Sequence, residues 1–193
     1  MIIHICGPSG SGKTTLGDKL AKKYKNIIVK DLDDLFHEFM KTNDIKYGAK
    51  FKCAKYQQYI YNFIKKQNDK LIVFVGLNLD MGHSSHYYDL QSQYKLYIKL
   101  PTNDVIKQKF DRGCIALFQD LHNTIDNNSI KQLEKNDKAI ISDFQRKIVW
   151  TFNLSHIRKQ TEEFNNDYKK FGYVFMTRDK IYEKCMSIID NML

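Results

Sequence analysis

Long apolar runs are missing from this 193-residue chain, and so is any cluster of cysteines. No apolar stretch approaches the roughly 18 residues that a membrane-crossing helix needs, so no transmembrane span is expected. Cys6, Cys53, Cys114 and Cys185 are widely scattered, without C-x-x-C spacing, and read as reduced thiols of a cytoplasmic protein. The first residues already form a strand pattern, which leaves no room for a signal peptide. The only metal-like spacing is His83-x-x-His86, and zinc would want a third ligand that is not evident there. Arginine occurs only at Arg112, Arg146, Arg158 and Arg178, and glycine at only 9 positions.

Three of those glycines stand together. Gly7-Pro8-Ser9-Gly10-Ser11-Gly12-Lys13-Thr14 is a complete G-x-x-x-x-G-K-[ST] phosphate loop. It follows the apolar run Ile2-Ile3-His4-Ile5-Cys6 and precedes a helical pattern with Leu16, Leu20 and Tyr24 on one face. That strand–loop–helix context is what the motif requires. Glycines let successive N–H groups curl into a concave anion site, and the following helix aims its positive end at it. The expected nucleotide-binding residues are Gly7 through Thr14 together with Thr15. Lys13 would reach the β- and γ-phosphates, and the Thr14 hydroxyl would hold Mg²⁺.

The formal net charge of +9 comes mostly from lysines spread in singles and pairs, with no long basic block. A solvated basic surface accounts for this. A nucleic-acid track would require the lysines to converge on one face, and it is not favoured.

Short apolar runs at 2–6, 26–30, 71–76, 95–100 and 173–177 alternate with helical periodicity, which predicts βαβ units and a doubly wound parallel sheet. The expected fold is a three-layer α/β/α domain with a five-stranded parallel sheet, spanning 1–193 as one domain. The apolar stripes are all read as core packing: Cys53-Tyr56-Ile60-Phe63-Ile64, Ile130-Leu133-Asp137-Ile140-Phe144-Ile148 (interrupted only by Asp137), Ile157-Thr161-Phe164-Tyr168-Phe171 and Ile181-Cys185-Ile188-Met192. Pro101 with Thr102 or Asn103 marks a helix start. The stretch from Pro101 to Phe171 is longer than a crossover needs and must hold extra helices, with a lid and helical insertion expected within about 112–170. The polar segment 120–129 is the expected lid. Trp150 is expected to plug the core between the added helices.

Asp31-Leu32-Asp33-Asp34 follows the second strand, and in open α/β sheets ligands collect at strand carboxyl ends. Asp31 and Asp33 would serve as a metal ligand (Asp33 with Thr14) and as the group that orients or deprotonates an acceptor hydroxyl. Capping of a helix beginning near Leu35, by Asp33 or Asp34, is the competing reading. The acidic cluster would adjoin the phosphate loop if its strand neighbours the first.

The loop followed by a strand ending in Asp-x-Asp resembles the nucleoside monophosphate kinase-like superfamily, and is similar to shikimate, gluconate and adenylate-kinase-like small kinases. The resemblance is specific over residues 1–36 and architectural beyond. It implies a five-stranded parallel core, a mobile lid, ATP and Mg²⁺ as cosubstrate and cofactor, and phosphoryl transfer to a small-molecule acceptor. The third strand ends in Gly76-Leu77-Asn78 where an acid would be usual, with Asp80 a weak substitute. Residues 36–70 carry no arginine to clamp an acceptor phosphate, although Lys41, Lys46, Lys50, Lys52 and Lys55 could supply charge. The acceptor is therefore read as a nucleoside, nucleotide or small hydroxylated metabolite. A 5′-hydroxyl polynucleotide kinase and a non-catalytic nucleotide-binding protein are the alternatives. Arg112 is placed at the end of the helix after strand 4, where it would neutralise the transferring phosphoryl group or simply cap a solvated helix. Arg178, past the last strand, would stack on the adenine or lie in a solvated loop. Oligomeric state is not decided.

Overall fold

A computed structural model describes residues 1–44, 53–67, 70–78 and 88–192. In chain order the elements are β1 (Ile2–Cys6), α1 (Lys13–Lys23), β2 (Ile28–Asp31), α2 (Leu32–Thr42), α3 (Cys53–Lys65), β3 (Ile72–Val75) and β4 (Tyr94–Ile98). Then come α4 (Thr102–Asp126), α5 (Ile130–Phe152), α6 (Leu154–Lys170), β5 (Val174–Met176) and α7 (Arg178–Asp190). Every residue of β1 is buried, as expected for an interior strand covered on both faces. The five strands form one all-parallel sheet in the order β2-β3-β1-β4-β5. The expected α/β fold is therefore the observed one, with strand limits within two residues of the sequence reading.

One expectation about placement changes. β2 does not adjoin β1, because β3 lies between them, and β2 is an edge strand. The aspartates at its end reach the phosphate loop across the end of β3.

The chain divides into two compact units, Met1–Leu100 with Asn166–Leu193, and Pro101–Asn165. In the first, Ile3, Ile5, Val73 and Val75 pack with Leu16 and Leu20 of α1 and Ile181 and Cys185 of α7. Ile72 and Phe74 pack with Leu35 and Phe39 of α2 and Tyr56 and Ile60 of α3. Burial of each such large side chain contributes about 1.5–3 kcal/mol. These contacts hold the carboxyl ends of β1, β2 and β3 in a fixed relation, and the site is built there.

The second unit is helical. Ser129 and Gln132 form a reciprocal capping box that starts α5, and Lys147 of α5 bonds Asp120 of α4 at 2.9 Å. Gly113 permits the close crossing of these helices, since a Cβ there would stand 2.9 Å from Thr151 Cγ2. Three sequence expectations are corrected in this unit. Residues 120–126 are helical, stabilised by the i,i+4 pair of His122 with Asp126 and by the Thr124 hydroxyl on the Asp120 carbonyl, so a helix-poor lid is not found there. No residue of α5 is buried, with Ile130 75% exposed, so its stripe is not core packing. Trp150 is likewise exposed on α5, edge-on to His156, and plugs no core.

Candidate active site at the strand ends

The phosphate loop leaves β1 through Gly7 and closes on Gly12, whose φ of 83° is left-handed and which caps α1. Ser11 N–H bonds the Pro8 carbonyl at 3.1 Å, and Leu16 N–H bonds the Gly12 carbonyl at 2.9 Å. Helix geometry then leaves the N–H groups of Lys13, Thr14 and Thr15 without intrahelical acceptors at the positive end of α1. Ser11 Oγ is buried with no hydrogen-bond partner among the described residues. Lys13 Nζ donates back to the Pro8 carbonyl at 2.9 Å. Gly12 also makes room for a neighbour, because a Cβ there would stand 3.2 Å from Arg178 Cδ. Arg178, the first residue of α7, thus lies against the loop's last turn, with its Nε 3.6 Å from Asp179.

Thr14 Oγ1 donates to Asp31 Oδ2 at 3.0 Å, while Asp31 Oδ1 accepts from Asp33 N–H at 2.9 Å. One carboxylate therefore caps α2 and bonds the loop threonine. The capping residue is Asp31, not Asp33 or Asp34, because α2 begins at Leu32 rather than near Leu35. Asp33 is solvent-accessible, and its carboxyl is raised above its ordinary value, first by partial desolvation and then by the charge of Asp31, with Lys13 and His37 opposing.

The end of β3 is shaped to admit this arrangement. Gly76 has φ 125°, and a Cβ on it would meet Leu32 Cβ at 3.1 Å and Asp31 Oδ1 at 3.4 Å. Asn78, two residues on, is fully buried and committed to structure. Its Nδ2 donates to the Tyr88 carbonyl at 2.9 Å and its Oδ1 accepts from the Tyr168 hydroxyl at 3.0 Å. It replaces the usual acid in position and does not substitute for it in role. In the sequence His4 stands only as part of an apolar run. It is completely buried, with Nε2 3.0 Å from the Gly76 carbonyl and Nδ1 2.5 Å from the Tyr173 hydroxyl. A lone imidazole inside a buried strand was the available signal.

The first unit brings together Lys13, Thr14, Asp31, Asp33 and Arg178. Arg112 belongs to the second unit and lies in the middle of α4, not at a helix end, because the helix continues to Asp126. Asp80, His83, His86, Lys46, Lys50 and Lys52 lie outside the described residues. The donors at the loop are a hydroxyl and carboxylate oxygens, which suit Mg²⁺, an ion that is held by one or two carboxylates and otherwise by water and phosphate. Among the described residues no group of three or more His, Cys, Asp or Glu could hold a metal on its own.

Comparison with solved structures decides the architecture. The chain aligns over 100% of its length with 99% of a tRNA δ(2)-isopentenylpyrophosphate transferase from Staphylococcus epidermidis, at 12% identity and a TM-score of 0.58. It aligns over 98% with 98% of shikimate kinase from Bacteroides thetaiotaomicron, at 13% identity and a TM-score of 0.52. This is a P-loop kinase-like fold. No protein-family model matches the chain. Among curated proteins, the P-loop kinase-like chain is 28% identical over 136 residues to cytidine diphosphoramidate kinase of Campylobacter jejuni, covering 64% of this chain and 75% of that protein. The kinase relative and the fold together support a P-loop phosphotransferase. No helix among the described residues is long and apolar enough to cross a membrane.

Proposed function

We propose that the protein is an ATP- and Mg²⁺-dependent kinase that transfers the γ-phosphoryl group to a small acceptor carrying a nucleophilic hydroxyl. The observation that carries this reading is the 3.0 Å bond between Thr14 and Asp31, which joins the phosphate loop to the acidic strand end. Lys13 and the loop N–H groups bind the β- and γ-phosphates, and Arg178 flanks the nucleotide from the start of α7. Thr14 and Asp31, the carboxylate bonded to that threonine, in place of the expected Asp33, would hold Mg²⁺, which would neutralise phosphate charge there. Asp33, with its raised carboxyl and its open face, takes the acceptor's proton. The acceptor oxygen then forms the new bond to the γ-phosphorus, and the bridging oxygen leaves with ADP.

For the acceptor, the absence of arginine from residues 36–70 argues against a bidentate phosphate clamp in that segment. A nucleoside, a nucleotide recognised through its base and sugar, or a small hydroxylated metabolite fits best, and the name of the curated relative puts cytidine nucleotides first in the panel to test. Single-turnover transfer from γ-labelled ATP across that panel, with a 5′-hydroxyl oligonucleotide as a separate arm, tests the proposal. Transfer to a small acceptor supports it. Transfer to the oligonucleotide alone, or to nothing while ATP still binds, overturns it.

A further inference from the structure

His4 is the one imidazole in the interior of the sheet among the described residues, and both its nitrogens are engaged. The Gly76 carbonyl can only accept, so Nε2 carries the proton and Nδ1 accepts from the Tyr173 hydroxyl. Burial holds the ring neutral, with its pKa lowered to about 4. Gly76 is thereby held at both ends, since its own N–H donates to the Ile5 carbonyl at 3.1 Å. The residue so fixed directly follows Val75, the register partner of Asp31 in the neighbouring strand, and a Cβ on it would crowd Leu32 at 3.1 Å and stand 3.4 Å from Asp31 Oδ1.

We infer that His4 is a positioning residue for the metal side of the site: by clamping the Gly76 peptide it sets the seat of Asp31, and so the alignment of Asp31 with Thr14. The relay runs from Tyr173, just before β5, through His4 in β1, to Gly76 after β3, which lies beside Asp31 at the end of β2. Four strands thus contribute to the placement of one carboxylate that none of the first three residues touches with a side-chain bond. The inference rests on the kinase reading above, in which Asp31 and Thr14 hold Mg²⁺. Groups hydrogen-bonded to ligating residues change metal affinity ~10–100-fold when removed, and His4, acting through the Gly76 peptide, is expected at the low end of that range.

The test measures thermal stabilisation by ADP, first in EDTA and then with Mg²⁺ titrated in. His4→Leu keeps the side-chain bulk and removes both hydrogen bonds, whereas His4→Gln keeps an amide donor for the Gly76 carbonyl. The expected result is a Mg²⁺ midpoint raised at least ~10-fold in His4→Leu, close to wild type in His4→Gln, with the stabilisation by ADP in EDTA retained in both. Tyr173→Phe, which removes the donor to Nδ1 and keeps the ring, is expected to raise the midpoint in the same direction, and it decides the matter if His4→Leu does not fold. A wild-type midpoint in His4→Leu or, failing that, in Tyr173→Phe overturns the inference. So does an equal loss in Leu and Gln variants, or a parallel loss of ADP binding in EDTA, since either marks a general packing role. A wild-type protein that ADP does not stabilise at any Mg²⁺ concentration overturns the kinase reading itself, and is distinguishable from those outcomes.

Discussion

Thr14 and Asp31 are bonded at 3.0 Å although their elements are separated in the sheet by β3. The same carboxylate caps α2 through Asp33 N–H, so two roles meet on one side chain. Substitution can separate them. In Asp31→Asn the amide oxygen can still accept the capping bond, because asparagine caps as well as aspartate. The expected outcome is a melting temperature close to wild type with Mg²⁺-dependent nucleotide stabilisation strongly reduced. Asp31→Ala should in addition lose about 0.5–2 kcal/mol of stability, read by denaturant unfolding.

Lys13→Ala should leave the fold intact and abolish phosphoryl transfer, because the point charge aimed at the phosphates is gone. Circular dichroism and single-turnover transfer on the same preparation check both halves. Wild-type transfer would remove the loop lysine from the mechanism.

Asp33→Asn should cut turnover by ~10²–10⁴-fold, the usual cost of losing a general base. Its stability should move the other way. Desolvation and the Asp31 charge raise the Asp33 carboxyl in the folded state, so the native protein binds that proton more tightly than the unfolded chain. The contribution of Asp33 to stability is therefore present at low pH and lost as pH rises through its raised value. Removing the charge should leave the melting temperature at pH 7 equal to or above wild type. A clear drop would contradict the assignment. Asp31→Asn, which deletes the like charge beside it, should shift the acid limb of kcat/KM to lower pH.

How much of this was legible beforehand can be read from single residues. The loop, its lysine and threonine, and all five strands could be recognised because glycine spacing and apolar runs are local signals. Which aspartate caps α2 could not, since that turns on where the helix begins, and a shift of three residues from Leu35 to Leu32 transfers the cap to Asp31. The stripe on α5 has the spacing of a core helix, but periodicity reveals a face and says nothing of what covers it. The segment 120–126 looked like a loop by composition and is helix because its polar side chains pair along the helix, His122 with Asp126 and Thr124 with the backbone of Asp120. The structural roles of Asn78 and His4 could not be read, because they depend on partners 90 and 169 positions away.

The buried imidazole also makes a prediction for stability. The pKa of His4 is lowered from 6.5 to about 4 by burial, so the unfolded chain binds more protons than the native protein between those values. The contribution is fully present above pH 6.5 and is lost as pH falls toward 4. Urea unfolding at pH 7, 5.5 and 4.5 should show wild type losing up to about 1.4 kcal/mol per pH unit more than His4→Gln across that window. Parallel curves for the two proteins would show that His4 does not titrate as its burial requires.

Because β2 is an edge strand among the described residues, Asp31 stands on a part of the sheet where those residues pair its backbone on one side only. Such margins open more readily than interior strands, and the free energy of that opening is local to them. A ligand that engages Asp31 has to hold this margin closed, so part of its binding energy is spent on suppressing the fraying of β2. Amide exchange in Ile28–Asp31 would slow on nucleotide binding more than exchange in β1, which is already sealed on both sides.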